Sequence, residues 1–222
     1  NVSTRVNAPN KFQVYQNNLP PAAVPLALTA KAQPGGKVKL NWFAVDEAFA
    51  YQVYRQDPGQ GTLAPIGRAS GTEYVDTTPA DGRYVYAVAS VRQSNGQETV
   101  SAQSATVEVL ASATAPGAPQ NLVLQLTGQG IKATWQPPVA STVDYYNLYR
   151  ASGTAINSIA GLTPIKTRVK NPITYDPSPS PSESAYAVTA VDIAGNESAI
   201  SNSAYLNASL LPVRSPRIDQ IG

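Results

Sequence analysis

Residues 51–55 read YQVYR, and residues 146–150 read YNLYR. In the first stretch Tyr51 and Val53 alternate with Gln52 and Tyr54; in the second Tyr146 and Leu148 alternate with Asn147 and Tyr149. A period of two is the mark of a strand with one buried face. Working outward, Trp42 precedes the first stretch and Trp135 the second, while Tyr86 and Val91 follow the first and Tyr186 and Val191 the second. A fixed order of anchors that recurs after roughly a hundred residues means two copies of one small β unit.

Each copy supplies about seven short strands. In the first, Leu26, Leu28 and Thr29 open, Pro34 to Gly36 turn, and Val38, Leu40 and Trp42 share one face. Strands follow at Tyr51–Arg55, Leu63–Gly67, Tyr74–Asp76, Arg83–Arg92 and Thr99–Leu110, with turns at Asp57–Gly61 and Ser94–Gln97. The second copy reads Leu122–Leu126, Ile131–Trp135, Tyr145–Arg150, Pro164–Val169, Ile173–Asp176, Ser184–Ile193 and Ile200–Leu206, with an exposed Pro/Ser loop expected at Pro177–Ser184. The pattern predicts an all-β chain of two seven-stranded antiparallel β-sandwiches in tandem. The expected units are 20–111 and 119–208, joined by a proline-bearing, semi-rigid linker at 112–118. Residues 1–19 carry one candidate strand, Lys11–Tyr15, and read as an extension or the end of a preceding domain; residues 209–222 read as a tail or linker.

Composition narrows the function. The 222 residues suffice for two domains, each with its own core. A net charge of +2 without a basic run points away from nucleic acid. Without Cys there are no disulfides or thiolate sites, and without His the commonest general base and transition-metal ligand are missing. No apolar run approaches the roughly 20 residues that span a bilayer as a helix. With no Met and a start at Asn1, the chain reads as a processed product or a piece of a longer protein.

With Trp on the second strand, Tyr-x-Val/Leu-Tyr-Arg on the third, Tyr-x-Val-x-x-Val on the sixth and a small polar turn behind it, both copies resemble fibronectin type III domains. The likeness is to those of bacterial extracellular multidomain proteins, and it is densest at Tyr186–Ser198, YAVTAVDIAGNES. The resemblance implies an immunoglobulin-like sandwich used as a spacer, adhesion or interaction module. It places Trp42 and Trp135 in the core. It also implies a tyrosine near the start of the sixth strand whose hydroxyl ties back to the adjacent corner. Tyr84 fills that position in the first copy, whereas Ser184 stands there in the second, with Tyr175 and the prolines as substitutes for the tie.

Candidate sites are few. Tyr54, Arg55, Tyr145, Tyr149 and Arg150 form the candidate interaction surface, as bulky side chains left outside the core and of the types that anchor interfaces. Their bland alternative is cross-strand packing of tyrosines beside arginines. Asp192, Asn196 and Glu197 bring oxygens into one loop, but their spacing matches no calcium loop and Gly195-Asn196 is turn chemistry, so no metal is expected. Asp46 with Glu47, and Asp176, are too isolated for a carboxylate pair. No catalytic residue and no cofactor is expected, and Arg-Gly-Asp is absent. Asn1, Asn196 and Asn207 head formal glycosylation triplets.

These features predict a non-catalytic spacer and interaction pair in a secreted or surface-exposed bacterial protein or fibre. Its partners would be neighbouring domains of the parent assembly, or an extracellular protein or glycan. The alternatives are a glycan-contacting accessory region of a polysaccharide-degrading enzyme and a phage or toxin appendage module.

Overall fold

The computed structural model describes residues 20–139, 141–179 and 183–206. The candidate strand Lys11–Tyr15 and the expected tail from residue 209 lie outside the described residues, as does part of the Pro177–Ser184 loop. No helix occurs among the described residues.

The first sandwich contains β1 (Thr29–Gln33), β2 (Lys37–Asn41), β3 (Ala50–Gln56), β4 (Ala64–Ala69), β5 (Glu73–Thr77), β6 (Gly82–Ser94), β7 (Gln97–Val100) and β8 (Val107–Ala111). One antiparallel sheet has the order β1-β2-β5; the other has β4-β3-β6, with β7 and β8 both paired to β6. The second sandwich contains β9 (Gln120–Thr127), β10 (Gly130–Gln136), β11 (Tyr145–Ser152), β12 (Lys166–Val169), β13 (Ile173–Asp176), β14 (Ser184–Val191) and β15 (Ala204–Leu206). Its sheets run β13-β10-β9 and β12-β11-β14-β15.

Strand phase decides what each sandwich encloses. Val38, Leu40 and Trp42 from one sheet meet Tyr51, Val53, Tyr84, Tyr86 and Val88 from the other. Ile131, Ala133 and Trp135 meet Tyr146, Leu148, Tyr186, Val188 and Ala190 in the same way. In both cores the indole stands edge-on to the neighbouring tyrosine, Trp42 to Tyr51 at 5.3 Å and Trp135 to Tyr146 at 5.2 Å between ring centroids. Such a pair contributes about 0.5–1.5 kcal/mol beyond the area it buries. The corner tie is present in the first sandwich, where the Tyr84 hydroxyl donates to the Ala80 carbonyl at 2.8 Å. At the matching position Ser184 is buried.

The expected single strand Thr99–Leu110 is two strands, and the expected Ile200–Leu206 shrinks to β15. Two serines cause the break in each copy. Ser101 gives its N–H to the Ser90 carbonyl while its hydroxyl accepts the Ser90 N–H; Ser104 does the same with Val88. Ser198 with Ala190 and Ser201 with Val188 repeat the arrangement. A side-chain oxygen thus stands where a neighbouring strand's carbonyl would, satisfying buried amides of the sixth strand that no pleated partner reaches. The spacing of three rather than two takes these residues out of strand geometry.

Candidate interaction surfaces

The five expected surface residues separate once they are placed. Arg55 and Arg150 do not lie on the outer face. Arg55 is two positions from Val53 and Arg150 two from Leu148, so both share the phase of the core. Arg55 donates to Asp76 Oδ2 at 2.9 Å and to Asp57 Oδ1 at 2.6 Å. Its guanidinium also lies 5.4 Å from the centre of the Tyr84 ring. Arg150 donates to Asp176 Oδ2 at 2.6 Å and to the Ser178 carbonyl at 2.8 Å. The same aspartates accept from the buried hydroxyls of Tyr86, at 2.7 Å, and Tyr186, at 2.8 Å. Each sandwich therefore closes one end of its core with a Tyr–Asp–Arg triad. Its members are brought together because Arg55 faces Tyr86, and Arg150 faces Tyr186, across the strand pair.

The electrostatics follow from that enclosure. Burial, and then the hydrogen bond to an aspartate, push the Tyr86 and Tyr186 hydroxyls well above the ordinary tyrosine range. Burial opposes the charge on Arg55, but hydrogen bonds to Asp57 and Asp76 outweigh it and raise the arginine further. On Arg150 burial is likewise outweighed, chiefly by the charge of Asp176. Asp176, too isolated in sequence to suggest a role, is the centre of one triad. Its match with Asp76, near the end of the corresponding edge strand, was the available signal.

Tyr149 does lie on the outer face, yet it is only 4% exposed. The connector between β11 and β12 roofs it: Ile156, Ile159 and Leu162 pack with Tyr149, Ala185 and Ala187 as a second small core. The shorter, glycine-rich connector between β3 and β4 supplies no such roof, so Tyr54, opposite Ala87, stays half-exposed. Glu197 seals the open side of Tyr149. Its Oε1 accepts from the Tyr149 hydroxyl at 2.8 Å, Asn147 Nδ2 at 3.0 Å and Thr189 Oγ1 at 2.5 Å. Burial opposes ionisation of Glu197, and these three donors more than compensate, holding it below the usual carboxylate range. Burial and the bond to Glu197 push Tyr149 up to about 12. Tyr145 is half-buried with Arg168 and Lys170 over its ring, at 5.3 and 6.0 Å.

Asp192 and Asn196 serve a joint between the sandwiches. Asp192 accepts the Asn196 N–H and one Nδ2 hydrogen, both at 2.8 Å, which closes the turn behind β14. Asn196 then reaches the first sandwich: Nδ2 donates to the Ser112 carbonyl at 2.8 Å, and Oδ1 accepts the Gly35 N–H at 2.9 Å. With its amide committed in three directions and only 8% of the residue exposed, Asn196 is closed to glycosylation in the folded chain. Beside it lies a cleft of about 230 Å³ between Asp81, Thr114 and Pro116 on one side and Ser141, Thr142 and Ile193 on the other. Among the described residues no group of three or more His, Cys, Asp or Glu side chains is placed to hold a metal ion, and no helix is long and apolar enough to cross a membrane.

No protein-family model and no curated protein matches the sequence. Solved structures do. The FN1-FN3 domains of chicken CNTN1 align with 84% of this chain at 15% identity and a TM-score of 0.63, and the chain spans 64% of their length. A Fn3-like protein from Clostridium thermocellum is 34% identical over 40% of this chain and 92% of its own, with a TM-score of 0.34. A two-domain fibronectin type III segment of chicken tenascin is 17% identical over 82% of this chain and 98% of its own, with a TM-score of 0.35. Two antiparallel sandwiches, one tyrosine corner, a repeated Trp–Tyr core and the fit to the CNTN1 domains together give this chain the fold of tandem fibronectin type III domains.

Proposed function

We propose that the chain is a non-catalytic spacer and interaction pair within a larger secreted or surface-exposed, bacterial protein or fibre. Its working units are 20–111 and 119–208, joined by 112–118. The observation that carries this reading is the roof over Tyr149. A glycan platform needs aromatic faces open to a planar ligand, and Tyr149, one of the outer-face tyrosines expected to offer one, is instead covered by the chain's own connector and tied to Glu197. The ionisable side chains that the fold gathers are spent on holding the sandwiches closed. Fibronectin type III folds are widely used as structural and interaction modules, and fold alone assigns no chemistry. Contacts with neighbouring domains would run through Tyr54 and Tyr145, the two of the three expected surface tyrosines that the fold leaves half-buried rather than covered.

The test compares the wild-type chain with a Tyr54→Ser, Tyr145→Ser double variant on a glycan array, with thermal melts of both. The expected result is two folded proteins and no saccharide retained by either. Retention by wild type that disappears in an equally stable variant would replace this reading with the glycan-contacting one. Polysaccharide cleavage by the purified chain would overturn it outright.

A further inference from the structure

We infer that the two sandwiches form one rigid strut, with their mutual rotation locked by Asn196, rather than two beads on a tether. The default for two domains joined by a short linker is relative motion, because interfaces of this kind are small and polar. Three features remove that freedom here. The reader of the joint is itself immobilised: Asn196 is held within its turn by both oxygens of Asp192, and its own carbonyl accepts the Asp192 N–H at 3.1 Å.

The surface being read is equally fixed. Ser112 accepts the Gly36 N–H at 3.0 Å, and the Gly36 carbonyl in turn takes both the N–H and the hydroxyl of Thr78 at 2.9 Å. Asn196 therefore grips backbone that is built into the first sandwich. Gly35, with φ of +75°, turns its N–H toward the joint in a conformation that glycine adopts freely. Gly195 sits under Pro34, where an added Cβ would come within 3.4 Å of the ring.

The linker is latched at both ends as well. Asp81 Oδ1 accepts the Ala113 N–H at 2.6 Å, and Ser141 Oγ accepts the Gly117 N–H at 3.0 Å. One side-chain amide, donor and acceptor at once, fits two backbone groups in a single orientation, so rotation about the linker breaks both bonds together. The inference concerns the mechanics of the pair and stands whether or not the spacer reading is correct.

The experiment uses the full chain. Residual dipolar couplings from both sandwiches of the wild type should fit one alignment tensor, and the Gly35 amide should be protected from hydrogen exchange. In Asn196→Ala the Gly35 amide should exchange roughly tenfold faster, the size of one net hydrogen bond, and the couplings should separate into two tensors. The Val188 and Ala190 amides, bonded to Ser201 and Ser198, report whether the second sandwich stays folded. Unrelated tensors in the wild type would overturn the inference without recourse to any variant. So would an Asn196→Ala protein with unchanged Gly35 exchange and a single tensor.

Discussion

Raising the pH to 11 should destabilise the second sandwich more than the first. Four buried tyrosines are held above the ordinary tyrosine pKa of 10.0: Tyr86 in the first sandwich, and Tyr146, Tyr149 and Tyr186 in the second. A group whose folded pKa is raised contributes stability that is complete below its unfolded pKa and is lost as pH climbs from there toward the folded value. At pH 11, one unit above the unfolded value, each tyrosine still protonated in the fold costs about 1.4 kcal/mol. Tyr149, at about 12, and Tyr186, higher still, both meet that condition at pH 11. The second sandwich therefore loses about 3 kcal/mol from these two, with Tyr146 adding to it, against about 1.4 kcal/mol for the first. From a stability of about 5–15 kcal/mol per domain that difference is readily measured.

The assay is urea unfolding at pH 8 and pH 11 at fixed ionic strength. Trp42→Phe and Trp135→Phe variants leave one indole to report on each sandwich. Tyr149→Phe should remove about 1.4 kcal/mol of the alkaline loss from the second sandwich and none from the first. Equal losses in the two sandwiches, or an alkaline loss untouched by Tyr149→Phe, would refute the argument that burial and Glu197 hold that hydroxyl protonated.

Three further outcomes are expected. Trp42→Ala or Trp135→Ala should cost about 3–5 kcal/mol in its own sandwich, read from denaturant midpoints, since each removes a buried indole and its edge-on tyrosine contact. Ala27→Asn should stabilise the first sandwich by about 0.5–1 kcal/mol in a thermal melt, because Ala27 is held at φ of +56°, where Asn is better tolerated than Ala. The second copy already has Asn121 at φ of +53°. Ser201→Ala should cost about 1–3 kcal/mol by leaving the buried Val188 N–H without an acceptor, visible as faster exchange of that amide.

Much of the fold was legible because it rests on local periodicity. Alternation along Val38–Trp42 and Ile131–Trp135 identifies a buried face without any knowledge of what lies opposite, and the repetition of Trp, Tyr and Val at matching order announces two sandwiches. The same alternation, applied consistently, already places Arg55 and Arg150 inward, because residues two apart in a strand share a face. A charged residue on a core face finds its justification only in a partner from another strand. Asp76 and Asp176 lie on separate strands, and sequence distance says nothing of their approach. Tyr149 shows the complementary limit. Strand phase puts it on the outer face, but exposure also depends on whether a connector folds back, and Ile156, Ile159 and Leu162 cover it only because the longer connector has that path. The serines of the broken last strand escaped notice since a spacing of three breaks the period-two alternation by which a strand is read. Asn196 read as a turn residue, which it is. Its grip on Gly35 and Ser112 joins residues far apart in the chain, and such contacts belong to tertiary structure because the physics that fixes them acts through space rather than along the sequence.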